Sequence, residues 1–262
     1  MTEVGGFELT LWNRTRSRAE EIGVGTVCDT AAKAIEGADV VVTSLFDPTA
    51  LRQVFLGPDG LVQAADHQVF LETSTAGPDV LTELDETLSL SGSQLIDSPL
   101  LGSTGAVLAG SLDIILGCTE AAMESARPVL AALGEARIVG PVGAAARLKL
   151  LHNSMLAIVS AATAEMMVAA VAAGIDKSDA FAMLTRISPY MKRREDGFLH
   201  EKFDSVSFAM TGVVKDLDLA IDLFHRNGSA LPVTALSREL YADAVPKHGH
   251  LDMSAVIRRY QN

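Results

Sequence analysis

Six short apolar runs, each followed by a helical or turn segment, fill the chain up to about Gly140: Glu8 to Asn13, Asp39 to Leu45, Gln68 to Glu72, Gln94 to Ile96, Asp113 to Gly117 and Arg137 to Gly140. Strands that alternate with helices need crossover connections, and these give a mostly parallel sheet covered on both faces. The run VVVTSL from Val40 is apolar nearly throughout, as a central strand is. Between the strands, Ser17 to Glu21 reads as a helix opened by the capping box Ser17-Arg18-Ala19-Glu20, and Thr30 to Ile35 as a helix stopped at Gly37.

From Gly143 the character changes. Ala144 to Ala173 holds neither proline nor glycine and reads as one helix, unusually long for a small domain. Ser154 to Ala173 carries one charge, Glu165, so a membrane span has to be weighed. The Ala, Ser and Thr content makes the stretch only mildly apolar and no basic flank sets an orientation, so a buried core helix shared across a homodimer is the expectation. Helices are also expected at Lys177 to Ile187, Val213 to Arg226 and Thr234 to Val245. The chain thus reads as α/β, with a doubly wound parallel sheet over residues 1–142 and an all-helical domain over residues 143–262.

Composition removes several function classes. A length of 262 residues with 48% hydrophobic content can bury a sizeable core. A net charge of -12 argues against nucleic acid or an anionic membrane as partner, since phosphate contacts need clustered Lys and Arg. It leaves small acids open, which need one local cation. Cys28 and Cys118 are far apart and belong to no Cys/His cluster, so neither a disulfide framework nor a metal site is indicated. A reducing cytoplasm is the expected home, and no signal peptide is visible after Met1.

In a doubly wound fold the end of the second strand meets the adenine ribose, and an acid there binds the 2'-hydroxyl of NAD. If Glu8 to Asn13 is that strand, the position carries Asn13-Arg14-Thr15, a guanidinium and a hydroxyl suited to a 2'-phosphate, which favours NADP over NAD. The alternative is a polar turn before a helix. The G-x-G-x-x-G loop belongs roughly 20 residues earlier, which would put it and the first strand before Met1. Gly23-Val24-Gly25 and Gly102-Ser103-Thr104-Gly105 do not replace it, because neither follows a strand and opens a helix in the required order. The expectation is a late start rather than a genuine truncation, since loss of an inner strand would expose LTLW and VVVTSL to pairing with other chains.

WNRT at Trp12, Glu72-Thr73-Ser74-Thr75, Asp97-Ser98-Pro99, GAAARLKLLHN from Gly143, Lys215-Asp216-Leu217-Asp218-Leu219-Ala220 and GHLDMSAVI from Gly249 occur in that order along nearly the whole chain. Together they resemble the β-hydroxyacid dehydrogenase family, which includes 3-hydroxyisobutyrate dehydrogenases and glyoxylate or succinic semialdehyde reductases. The resemblance implies a Rossmann domain, here lacking its first strand, followed by a helical domain that helps to make a dimer. It places the catalytic lysine on Lys149 and the accompanying asparagine on Asn153. Residues at i and i+4 share a helix face, so ammonium and carboxamide can converge on one small substrate. Lysine can donate a proton to a carbonyl oxygen as hydride arrives, given burial that lowers its pKa. The resemblance further implies cofactor contacts at Leu45, Phe46, Thr75 and Lys215, and substrate contacts at Thr75, Phe208 and Asp216. His152 reads as a packing histidine.

Two departures bear on the substrate. Where the family has D-A-P-V-S-G-G, the chain has Asp97-Ser98-Pro99-Leu100-Leu101-Gly102-Ser103, so Leu101 replaces a substrate-binding serine and Ser103 becomes the candidate donor. The G-x-G before the lysine is Gly143-Ala144-Ala145. The first expectation is an oxidoreductase moving hydride between NADP(H) and a small hydroxy acid, aldehyde or semialdehyde. An imine reductase of the same two-domain plan is the second; Leu101 speaks for it and Lys149 against. A non-catalytic dimerising protein is the third.

Overall fold

The structure, a computed structural model, describes residues 6–102 and 104–261. It divides into two compact units between Lys149 and Leu150.

The first unit opens with β1 (Thr10–Leu11), α1 (Arg16–Glu20), β2 (Thr26–Val27) and α2 (Ala31–Ile35). It continues with β3 (Val40–Thr43), α3 (Pro48–Leu56), α4 (Leu61–Ala64), β4 (Val69–Glu72), α5 (Pro78–Ser89) and β5 (Gln94–Asp97). β6 (Leu100–Leu101), α6 (Thr104–Leu108), β7 (Leu112–Gly117), α7 (Glu120–Leu133) and β8 (Gly134–Gly140) complete it. Side-chain caps explain where the helices begin: Thr30 accepts from the Lys33 N–H before α2, Asp47 from Ala50 before α3 and Thr119 from Ala122 before α7.

β1 and β2 form a parallel pair, and a six-stranded sheet runs β3-β4-β5-β7-β6 with β8 on the far side of β7. β3, β4 and β5 are parallel, β5 meets β7 at Asp97 and Gly117, β6 is antiparallel to β7 and β8 is parallel to it. One strand set between β1 and β3 would complete the doubly wound order 3-2-1-4-5-6; among the described residues none lies there. β4 is buried on both faces, and its alternation sends Phe70 to a core with Leu51, Phe55 and Leu84, and Val69 and Leu71 to another with Ile96, Ile114 and Leu130.

α8 (Ala144–Ala172) runs on into the second unit, followed by α9 (Lys177–Ile187), α10 (Glu195–His200), α11 (Met210–Arg226) and α12 (Pro232–His248). Two 3₁₀ turns, Pro189–Arg194 and Met253–Arg259, fill the gaps. α8 is long and apolar enough to cross a membrane, with a third of its most apolar window buried. Its inward stripe of Ala157, Ala161, Ala164 and Met167 packs with Phe181, Phe198, Met210 and Tyr241. Leu151, Met155, Met166 and Val171 stay exposed on other faces.

One local expectation needs correction. The Ser17 capping box does not form: extended Thr15 stands at the helix start, and Glu20 pairs with Arg16 at 2.7 Å instead. β2 and β6 were not legible as strands, being two residues each. Gly102 does follow a strand and precede helix α6, yet that strand is antiparallel, so the segment still lacks the parallel crossover a phosphate loop requires.

Candidate active site

In the first unit a groove of about 480 Å³ is lined from one side by Thr10, Trp12, Asn13, Arg14 and Thr15 and from the other by Val40 to Phe46. Asn13 turns its carboxamide back to accept the Thr15 N–H at 2.9 Å, which shapes the turn and leaves Arg14 exposed at the rim beside Arg18. Leu45 and Phe46 follow β3 into the groove wall. The Leu45 N–H donates to Ser74 Oγ at 2.7 Å, and Phe46 is 57% exposed.

The ends of β3, β4 and β5 are stitched together by polar contacts. Thr43 O accepts from both the Thr73 N–H, at 2.9 Å, and the Thr73 hydroxyl, at 2.8 Å, while Glu72 O accepts from the Ser98 N–H at 2.9 Å. Thr75, half-buried, starts the turn into α5. Asp97 Oδ2 accepts from the Gly143 and Ala146 N–H groups at 3.0 and 2.9 Å, fixing the entry of α8. Gly143 suits this turn, with φ of +87° and Pro78 so close that a Cβ would lie 3.1 Å from it. Ala145 is fully buried, so its methyl group is accommodated where the family pattern has glycine. Burial raises the Asp97 carboxyl to about 6, against the pull of the backbone N–H groups, and the buried Cys118 thiol to about 11. Lys149, half-buried, donates to Leu100 O at 2.8 Å. Leu101 next to it is half-buried, and Ser103 lies outside the described residues.

In the helical unit Asn153 is 5% and Asp216 2% exposed. Asn153 Nδ2 donates to Asp216 Oδ2 at 2.5 Å, and the Lys215 ammonium lies 2.7 Å from Asp216 Oδ1. Asp216 therefore holds two side chains of its own unit, Asn153 and Lys215. The Phe208 N–H donates to Asp252 Oδ2 at 3.2 Å, and the ring rests against Gly212, where a Cβ would come within 2.9 Å. His152 is exposed and stands edge-on to Tyr190 at 6.4 Å between centroids. Among the described residues no group of three His, Cys, Asp or Glu is arranged for a metal ion. The sequence reading missed Glu72 as a buried group and the Asp97 clamp; both stand in quoted motifs, but burial is a property of the assembled sheet.

Residues 2–143 match the family described as the NAD binding domain of 6-phosphogluconate dehydrogenase, and residues 143–260 that described as the NAD-binding domain of NADP-dependent 3-hydroxyisobutyrate dehydrogenase. The chain is 26% identical to glyoxylate/succinic semialdehyde reductase 1 of Arabidopsis thaliana over 96% of its own length and 90% of that protein. It is 29% identical to a 3-hydroxyisobutyrate dehydrogenase of Pseudomonas aeruginosa over 89% of its own length and 83% of that protein. Among solved structures, the Mycobacterium tuberculosis 3-hydroxyisobutyrate dehydrogenase with L-serine has a TM-score of 0.83 at 24% identity, over 98% of this chain and 92% of that one. Psf3 in complex with NADP+ and 2-OPP scores 0.89 at 21%, over 99% and 94%. An imine reductase from Myxococcus stipitatus with NADP+ scores 0.62 at 18%, over 98% and 92%, so the dehydrogenase plan fits better than the imine reductase plan. By the order of its motifs, its sheet and these matches across nearly its full length, the chain belongs to the β-hydroxyacid dehydrogenase family of nicotinamide-dependent oxidoreductases.

Proposed function

We propose that the chain is an NADP-preferring dehydrogenase or reductase acting on a small hydroxy acid, aldehyde or semialdehyde, with Lys149 as proton donor. The observation that carries this reading is the pair Lys149 and Asn153, one turn apart on the continuous helix α8, with the Asn153 amide nitrogen committed to Asp216. That commitment leaves the Asn153 carbonyl oxygen to accept a hydrogen bond. Lys149 donates to Leu100 O, which fixes the position of its ammonium on α8. In reduction its ammonium gives a proton to the carbonyl oxygen, and in oxidation the amine takes it from the hydroxyl.

The groove beside β3 suits the adenosine end of a dinucleotide: Arg14 and Arg18 offer positive charge, and Asn13 and Thr15 add polar groups at the rim. Arg14 favours a 2'-phosphate and so NADP over NAD. Leu45 and Phe46 pass along the cofactor in this reading, Thr75 serves cofactor and substrate, Lys215 the cofactor, and Ser103 and Phe208 the substrate. The bound nicotinamide supplies or accepts the hydride. Leu101 in place of a serine hydroxyl favours a less polar substrate than a short hydroxy acid.

A homodimer in the cytoplasm is part of the same reading. Leu151, Met155 and Met166 of α8 and Met183 and Ile187 of α9 are exposed, and α8, α9 and the turn after it line an apolar groove of about 530 Å³. NADPH oxidation with glyoxylate, succinic semialdehyde and a cyclic imine tests the activity. Turnover of either aldehyde that disappears in Lys149→Ala supports the reading; turnover of the imine alone contradicts it.

A further inference from the structure

Glu72 ends β4 with its side chain completely buried, 0% exposed, and no step of the proposed reaction uses it. Its Oε1 accepts the Ser74 N–H at 2.6 Å and its Oε2 meets the Thr43 hydroxyl. Ser74 Oγ in turn accepts the Leu45 N–H. One carboxyl group thereby ties the turn after β3 to the turn after β4, and Thr43 itself lines the groove.

A hydroxyl group has one hydrogen to give. While Glu72 is ionised it only accepts, so the Thr43 hydrogen is committed to it. When Glu72 takes one proton from solvent, its own O–H donates to Thr43 Oγ1, and the Thr43 hydrogen is released while every heavy atom keeps its place. We propose that Glu72 is a positioning residue for the dinucleotide: its protonation state sets whether Thr43 offers the groove a hydrogen-bond donor, and thereby how tightly the anionic cofactor is held. This rests on the reading of the groove as the cofactor site.

The surroundings favour a proton exchange near neutrality. Burial raises the Glu72 carboxyl to about 7, while hydrogen bonds from Ser74 and Thr43 act in the opposite direction. The charged group facing it is Asp97, its register partner on β5, which pushes it further up. Arg147 and the Cys118 thiol face Asp97 in turn. β3 contributes the uncharged Thr43, and α7, also packed on β4, carries Glu124 and Arg127 on its exposed side.

Two substitutions give opposite signatures. Glu72→Gln copies the protonated form, since its carbonyl accepts from Ser74 and its amide donates to Thr43; Thr43→Val removes the donor altogether. Calorimetric titration of the full chain with NADPH between pH 6 and 8 is the measurement, with thermal midpoints at each pH to establish folding. Wild-type affinity should fall about tenfold more across this range than in either variant. Glu72→Gln should stay tight at pH 8, and Thr43→Val should be weak already at pH 6. Wild-type binding with parallel pH profiles in a folded variant overturns the inference alone. Wild-type protein that binds no NADPH at any pH overturns the reading of the groove and this inference with it.

Discussion

Asn153 donates to Asp216 across 2.5 Å inside the helical unit, and the same carboxylate holds the Lys215 ammonium at 2.7 Å. Two polar side chains from two helices thus share one buried acid. Removing one partner of a buried charged set leaves the others desolvated and unpaired. Asp216→Ala should destabilise the chain by about 3 kcal/mol, read as a lowered urea midpoint. It should also lower kcat, because the Asn153 amide loses its anchor. A midpoint within experimental error of wild type would show that the cluster is not held as described.

Lys149 is predicted to matter for turnover far more than for folding. Its bond to Leu100 O is one partly buried contact, so Lys149→Ala should cost roughly 1 kcal/mol of stability. The same change should lower kcat by about 10²- to 10⁴-fold, the usual range for loss of a general acid. Steady-state NADPH oxidation beside a denaturation curve separates the two effects.

Arg14 stands exposed at the groove rim, so its removal should leave folding unchanged. Arg14→Ala should weaken NADPH binding about tenfold and NADH binding hardly at all. Arg14→Asp should reverse the preference, since an acid there suits a free 2'-hydroxyl. Equal loss for both cofactors would remove Arg14 from the selecting position.

The buried Asp97 predicts a pH dependence of stability with a definite sign. Its folded carboxyl is raised to about 6 by burial, above the ordinary carboxylate range. The folded chain therefore binds this proton more tightly than the unfolded chain, and stability falls as pH rises from about 4 through 6. Asp97→Asn removes that loss. The stability of the variant relative to wild type should rise by about 2 kcal/mol between pH 4 and 7, measured as paired urea midpoints. A difference that stays constant across the window would contradict the assignment.

The exposed apolar positions on α8 and α9 predict self-association. Leu151→Glu combined with Met155→Glu should halve the mass measured by light scattering without lowering helix content, as both side chains are more than half exposed in the single chain.

Much of the fold was legible because local and global signals agree. Asp176 caps α9 through the Ser178 and Asp179 N–H groups, and the helix spans Lys177–Ile187 as the periodicity predicts. β4 lies next to β3 and β5 as alternation of strand and helix implies. The two-residue strands were not legible, since Thr26–Val27 and Leu100–Leu101 are too short to show a period and exist through their partners. At the site, Lys149 and Asn153 were placed by motif order, but the partner of Asn153 lies 63 positions away in sequence. Glu72 reads locally as one acid in a polar turn; only the sheet around it makes it buried and proton-holding.

In the proposed function this chain holds a nicotinamide dinucleotide in the groove beside β3 and selects its phosphorylated form. Trp12, the single tryptophan, lines that groove and serves as the reporter. Its fluorescence should be quenched in a saturable way by both NADPH and NADH, with the tighter constant for NADPH. A folded chain whose Trp12 emission responds to neither cofactor would contradict the account.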